Sequence, residues 1–193
     1  MAIGLWVLEQ AAHQALLLEK HGVDDVVIAV NVSAVQFDRP EWLDEMRAVV
    51  QRVGVSPERI EIELTEAVAV RNPQQAGVTI ERLHAAGFRV SLDDFGTGYS
   101  SLSYLRRYAI DKLKIDQSFI RDIESNPGNR EIVQAIVRMA HGLRMTTIAE
   151  GVETEAELDW LRQFGCDEIQ GYLYAKPMSA EDFMSWAKKY AHA

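Results

Sequence analysis

Val26-Val27-Ile28-Ala29-Val30-Asn31-Val32 is a run of six apolar residues broken by one amide. It is rich in β-branched side chains and shows no apolar–polar alternation. That pattern suits a strand buried on both faces, as the strands of a parallel sheet are. Similar short runs recur over 60–66, 88–93, 110–115, 145–149 and 166–172. Helical patterns separate them. The first helix, over 3–20, precedes all strands and is stopped by Gly22. The next starts near Pro40, carries Leu43, Met46, Val49, Val50 and Val53 at helical spacing, and is closed by Gly54. Others are expected over 73–86, 100–108, 129–143, 154–164 and 179–190. Thr154 and Glu157 form a capping-box pair, and Ser179 and Asp182 a second cap. Trp6, Trp42, Trp160 and Trp186 all fall on helices and are expected to pack against the sheet. Six β-α units imply parallel strands with right-handed crossovers. The class is α/β, and a doubly wound sheet or a (β/α) barrel both fit. A closed eight-unit barrel runs to roughly 250 residues; this chain has 193 and about six units.

Composition narrows the function classes. Apolar residues make up 48 % and charged residues 25 % of the chain, which excludes a disordered chain or a disulfide scaffold. The net charge of −9 argues against a non-specific binder of nucleic-acid polymers or of anionic membranes. It allows a phosphate substrate if metal ions mediate the contact. Cys166 is the single cysteine, so a reducing, cytoplasmic setting is expected. The apolar first 18 residues lack a basic start and a cleavage site and read as an amphipathic helix, and no stretch is apolar enough to span a membrane.

Every expected strand ends in a polar group: Asn31, Glu63, the Asp93-Asp94 pair, Lys114, Glu150 and Gln170 in chain order. Parallel α/β folds place function at these strand ends. Four carboxylates brought together without cations would repel one another. An all-oxygen donor set points to Mg²⁺ or Mn²⁺, with Ca²⁺ admissible. Adjacent aspartates at one strand end suit two metals about 3.5–4 Å apart. Taken alone, the aspartate pair also suits a turn with a helix cap. In Asp111-Lys112-Leu113-Lys114-Ile115-Asp116, period two puts Lys112, Lys114 and Asp116 on one face. Lys114 there could orient a water or stabilise charge, or form a structural salt bridge. Asp94-Phe95-Gly96-Thr97-Gly98-Tyr99-Ser100-Ser101 follows directly and reads as a mobile loop over a metal site. No cluster of His and Cys suggests zinc.

In order along the chain stand Asn31-Val32-Ser33-Ala34-Val35-Gln36-Phe37, Glu63-Leu64-Thr65-Glu66, Asp93-Asp94-Phe95-Gly96-Thr97-Gly98, Leu113-Lys114-Ile115-Asp116, Ala149-Glu150-Gly151-Val152-Glu153-Thr154 and Gln170-Gly171-Tyr172-Leu173. With these strings the chain resembles the EAL domain family of bacterial cyclic di-GMP phosphodiesterases over nearly its whole length. The resemblance implies a TIM-type barrel and a single domain over 1–193, truncated at its N-terminus relative to the family. It implies a metal set of Asn31, Glu63, Asp93, Asp94, Glu150 and Gln170, and catalytic roles for Lys114, Glu63 and Glu150. It assigns Glu66 to anchoring the loop with Gly96, Thr97 and Gly98. It assigns substrate binding to Asp116, Glu153, Tyr172 and Pro177. The implied reaction is hydrolysis of cyclic di-GMP to linear 5′-pGpG with two Mg²⁺ or Mn²⁺ ions, in a homodimer, with upstream sensory or cyclase domains in the parent protein.

The Glu-Ala-Leu string that names the family is absent; Glu66-Ala67-Val68 belongs to the Glu63–Glu66 motif. Relative to a full barrel, about 50–60 residues with the first two strands are missing, and with them a glutamate ligand and an arginine for substrate phosphate. The chain as it stands is therefore expected to turn over weakly or not at all. The alternative is a non-catalytic EAL-like receptor or protein-interaction module. Enolase-type proton abstraction, the third class, fits the adjacent aspartates and glycine loop poorly.

Overall fold

The computed structural model describes residues 2–23, 25–96 and 105–190, so Thr97 and Gly98 and most of the helix expected over 100–108 lie outside the described residues. Among the described residues six strands form, β1 Ile28–Asn31, β2 Ile60–Thr65, β3 Arg89–Phe95, β4 Lys112–Ile115, β5 Thr146–Glu150 and β6 Glu168–Gln170. They make one sheet in the order β1-β2-β3-β4-β5-β6. The registered neighbours β1/β2, β3/β4, β4/β5 and β5/β6 are parallel. Sequential order without a reversal is the connectivity of a (β/α) barrel and not of a doubly wound sheet. The helices are α1 Ala2–Lys20, α2 Ala34–Phe37, α3 Trp42–Val53, α4 Glu66–Arg71, α5 Pro73–Ala85, α6 Gln117–Ile120, α7 Pro127–Gly142, α8 Glu155–Phe164 and α9 Ala180–Tyr190. The short α2, α4 and α6 were not foreseen, because four to six residues are too few to show a helical period. Each begins behind a residue suited to capping, Ser33, Thr65 or Asp116.

The chain divides into two compact units. One comprises 1–63, 81–89 and 177–193. In it α1 buries Leu8, Ala11, Ala12, Ala15 and Leu18, one stripe at helical spacing. Helix α3 buries Trp42, Leu43, Met46, Val49 and Val50 and ends at Gly54, whose φ of 84° is the left-handed cap glycine tolerates. Arg52 and Glu9 join α3 to α1 at 2.8 Å. Helix α9 brings Phe183, Met184, Trp186 and Ala187 against Leu18, Val23, Val26 and Ile28. Trp6 corrects the expectation for the tryptophans: it is 59 % exposed, together with Ile3, Val7 and Leu17. Trp6 lies off the stripe that α1 buries, and a helix covers only one face in one contact.

The second unit comprises 64–80 and 90–176. Leu92, Leu113, Ile115 and Ala149 are fully buried strand residues, and Val133, Val137 and Ala140 of α7 and Leu161 of α8 are buried with them. Each such large aliphatic side chain contributes about 1.5–3 kcal/mol by leaving water. The Thr154–Glu157 capping box forms as expected, with Gly165 ending α8 at φ 79°. Strand β6, expected over 166–172, is confined to three residues. Asp167 spends its carboxylate on the Thr147 amide and hydroxyl, both donating at 2.7 Å. Beyond Gln170 the chain turns, and the Leu173 amide donates to the Val152 carbonyl at 3.0 Å.

Candidate metal centre

Successive residues of a strand point to opposite faces, so Asp93 and Asp94 would diverge in a regular β3. They do not, because the β3/β4 register shifts between Leu92 and Phe95. Asp94 sits at φ 56°, a left-handed conformation that aspartate takes more readily than most residues. Its amide donates to Asp93 Oδ1 at 3.0 Å. This irregularity re-aims a side chain, as bulges beside functional sites do. One oxygen each of Asp93, Asp94 and Glu150 then lies within 4.8 Å of the others.

Lys114 enters from β4. Its Nζ lies 2.8 Å from Glu150 Oε1 and 3.2 Å from Asp93 Oδ1, and the residue is only 4 % exposed. A buried ammonium between two carboxylates offsets their repulsion. Burial pushes the Asp94 carboxyl above its ordinary value, the charges of Asp93 and Asp116 add to this, and Lys114 opposes it. Three carboxylates with one ammonium carry a net negative charge and offer hard oxygen donors. That donor set fits Mg²⁺ or Mn²⁺.

The remaining sequence-derived positions fall as follows. In the first unit Asn31 pairs in register with Glu63, and Glu63 is 7 % exposed. In the second, Gln170 pairs with Glu150 at the last position of the β5/β6 register. The buried Glu66 accepts from the Gly96 amide at 3.3 Å. Gly96 has φ 97°, and a Cβ there would lie 2.9 Å from the Phe119 ring. Asp116 caps α6 by accepting from the Ser118 amide. Glu153 is exposed, and its amide donates to Glu157. Tyr172 is exposed with Lys176 Nζ 5.6 Å over its ring, and Pro177 is exposed. Sequence reasoning missed Glu168, whose Oε2 lies 2.7 Å from Lys112 Nζ. Counting two residues back from Gln170, as was done from Lys114 to Lys112, would have placed it on the same face.

Strand β6, which carries Gln170, is tied down at Asp167. His141 Nε2 is 2.9 Å from Asp167 Oδ2, beside the two donors from Thr147. Burial pushes the Asp167 carboxyl up, but the contacts from His141 and Thr147 outweigh it and hold the group below its ordinary value. A depressed folded-state pKa stabilises the fold above the unfolded-state pKa, about 3.9 for aspartate, and the gain is lost as pH falls through the folded value. Asp167→Asn is therefore expected to be less stable than the wild type at neutral pH. The gap should narrow as pH falls below about 4. Urea midpoints at pH 7 and pH 3 test this; a pH-independent gap would refute the ionic origin.

Comparison with known proteins agrees with this architecture. The family model described as "EAL domain" matches residues 1–177. The Pseudomonas aeruginosa protein MucR, a bifunctional diguanylate cyclase/cyclic di-GMP phosphodiesterase, is 42 % identical over 183 residues, covering 95 % of this chain and 27 % of MucR. A solved MucR phosphodiesterase in complex with c-di-GMP superposes with a TM-score of 0.91 at 42 % identity, over 94 % of this chain and 74 % of that one. A manganese/cy-diGMP complex of Klebsiella pneumoniae BlrP1 matches with a TM-score of 0.78 at 32 % identity, over 88 % of this chain and 44 % of that one. The chain spans about a quarter of the length of the curated relatives it matches. Among the described residues no helix is long and apolar enough to cross a membrane. By its strand order, its strand-end carboxylates and the match over most of its length, this chain belongs to the EAL domain family.

Proposed function

We propose that this chain is a cyclic di-GMP phosphodiesterase module, which opens one phosphodiester of the cyclic dinucleotide to give linear 5′-pGpG. The observation that carries the reading is the convergence of Asp93, Asp94 and Glu150, with Asp93 and Glu150 ion-paired to the buried Lys114 ammonium. Asp93, Asp94 and Glu150 hold Mg²⁺ or Mn²⁺ in this reading, and Asn31, Glu63 and Gln170 are the further oxygen donors that the family assigns. Bound divalent ions supply an activated water and neutralise phosphate charge. Lys114, held by two carboxylates, presents a fixed positive charge to the phosphate oxygens as negative charge grows on them. The exposed Tyr172 ring offers a guanine a face to stack on, with Asp116, Glu153 and Pro177 as further substrate contacts. The loop-anchoring role that the family assigns falls to Glu66, which accepts from the Gly96 amide, and to Gly96, Thr97 and Gly98. The single domain over 1–193 works in the bacterial cytoplasm as a homodimer, in a parent protein with sensory or cyclase domains.

The second reading is a receptor that binds cyclic di-GMP without turnover. The two are separated by incubating the chain with cyclic di-GMP and Mn²⁺ and following pGpG by chromatography, with light scattering on the same sample. The expected result is slow cleavage by a dimer, abolished by EDTA and by Glu63→Ala. Cleavage that persists in EDTA would overturn the metal-dependent reading, and a monomer would remove the dimer from it. Binding without cleavage, also in a chain extended upstream through a Glu-Ala-Leu strand, would establish the receptor.

A further inference from the structure

We infer that Lys112 and Glu168 form a brace that positions β6, and with it Gln170, beside Glu150; the inference rests on reading the carboxylate centre as a cation site. Alternation along each strand sets every second side chain of the second unit on one face. Asp93, Lys114, Glu150 and Gln170 stand near the strand ends. Ser91, Lys112, Ile148 and Glu168 stand two residues earlier on the same strands; Ser91 is level with Lys112 and Ile148 with Glu168, while the β4/β5 register sets Lys112 against Thr146. Lys112 Nζ lies 2.7 Å from Oε2 of Glu168, which is level with Ile148, two positions along β5 from Thr146, the register partner of Lys112. Lys112 and Glu168 are not on adjacent strands: β5 lies between β4 and β6, so the ion pair reaches over a strand.

Such a brace has a task here because β6 is short. Only three positions of it pair with β5. Apart from this pair β6 is held through Asp167 by Thr147 and His141, and the Lys112–Glu168 pair ties the strand on the side from which Gln170 projects. Lys112 also shares β4 with Lys114, two residues apart on the same face. One pair thus links the strand that supplies the ammonium with the strand that supplies the amide. Metal centres need their surroundings held to about 0.5 Å, and loss of an outer contact typically weakens metal binding by roughly 10–100-fold. With Glu168 about half exposed, the low end of that range applies.

The test compares wild type, Lys112→Met, Glu168→Gln, the double variant and Lys112→Arg. Mn²⁺ affinity is read by electron paramagnetic resonance, and hydrogen exchange is followed at the Val152 amide, which donates to the Gln170 carbonyl. Each single neutralisation is expected to weaken Mn²⁺ binding roughly tenfold and to speed exchange at Val152. The double variant should be no worse than either single one, and Lys112→Arg should behave as wild type. Additive losses in the double variant, or single variants with wild-type affinity and exchange, would overturn the brace. If wild type binds no Mn²⁺, the cation reading fails, and exchange at Val152 alone decides: unchanged exchange in the single variants overturns the brace, accelerated exchange in them upholds it. Should a neutralised variant not fold, Lys112→Arg against Lys112→Gln gives the same comparison.

Discussion

Gly171→Ala is expected to lose about 3 kcal/mol of stability or more and to unseat the end of β6. An added Cβ would lie 2.0 Å from the Val152 carbonyl oxygen and 2.4 Å from its amide nitrogen. Both are backbone atoms and cannot rotate aside. The Val152 amide donates to the Gln170 carbonyl at 3.1 Å, and its carbonyl accepts from Leu173 at 3.0 Å. Relief of the clash must therefore break one of these bonds, in the segment that joins Glu150 to Gln170. Gly165→Ala is the comparison. Gly165 has φ 79° and nothing within 4 Å of an added Cβ, so its cost is that of a left-handed alanine, about 1–2 kcal/mol. Urea unfolding of both variants measures the difference. Equal losses would show that the close approach at Gly171 relaxes without cost.

Lys114→Met is expected to separate stability from metal response. Without the ammonium, the Asp93, Asp94 and Glu150 carboxylates face one another uncompensated. Loss of one partner of a buried ion pair costs about 3 kcal/mol, so the metal-free variant should melt well below wild type. Cations then offset a larger repulsion, so Mn²⁺ should raise its melting temperature by more than it does for wild type. Any cleavage of cyclic di-GMP should fall to background, because no fixed positive charge remains at that position. Asp93→Asn should behave oppositely, with a weaker melting response to Mn²⁺. A Lys114→Met chain as stable as wild type, with the same Mn²⁺ response, would show that the lysine is not what balances the centre.

Much of the architecture was legible because parallel α/β units leave a strong local record. Buried runs such as 60–66, helix stops such as Gly54 and Gly165, and the Thr154–Glu157 box depend on neighbours within a few residues; the run 26–32 is not buried on both faces, since β1 covers only Ile28–Asn31 and leaves Ala29 and Asn31 exposed. The polar strand ends were legible for the same reason, since a carboxylate at the end of a buried run conflicts with its surroundings. The short helices α2, α4 and α6 escaped, because four to six residues carry no clear period. The exposure of Trp6 escaped as well, because an apolar helix does not say which of its faces is covered.

By itself the sequence determined the α/β class, the number of β-α units and the residues that could carry chemistry. Those follow from hydrophobic period and turn residues, which are local properties. Only the tertiary structure decided how the residues meet. The register shift that turns Asp93 and Asp94 toward Glu150 is a property of β3 lying against β4. The choice of Glu150 and Asp93 as partners of Lys114, and of Glu168 as partner of Lys112, depends on strands more than 15 residues apart in sequence. Period two names the face on which a side chain stands; the pairing of strands names its neighbour.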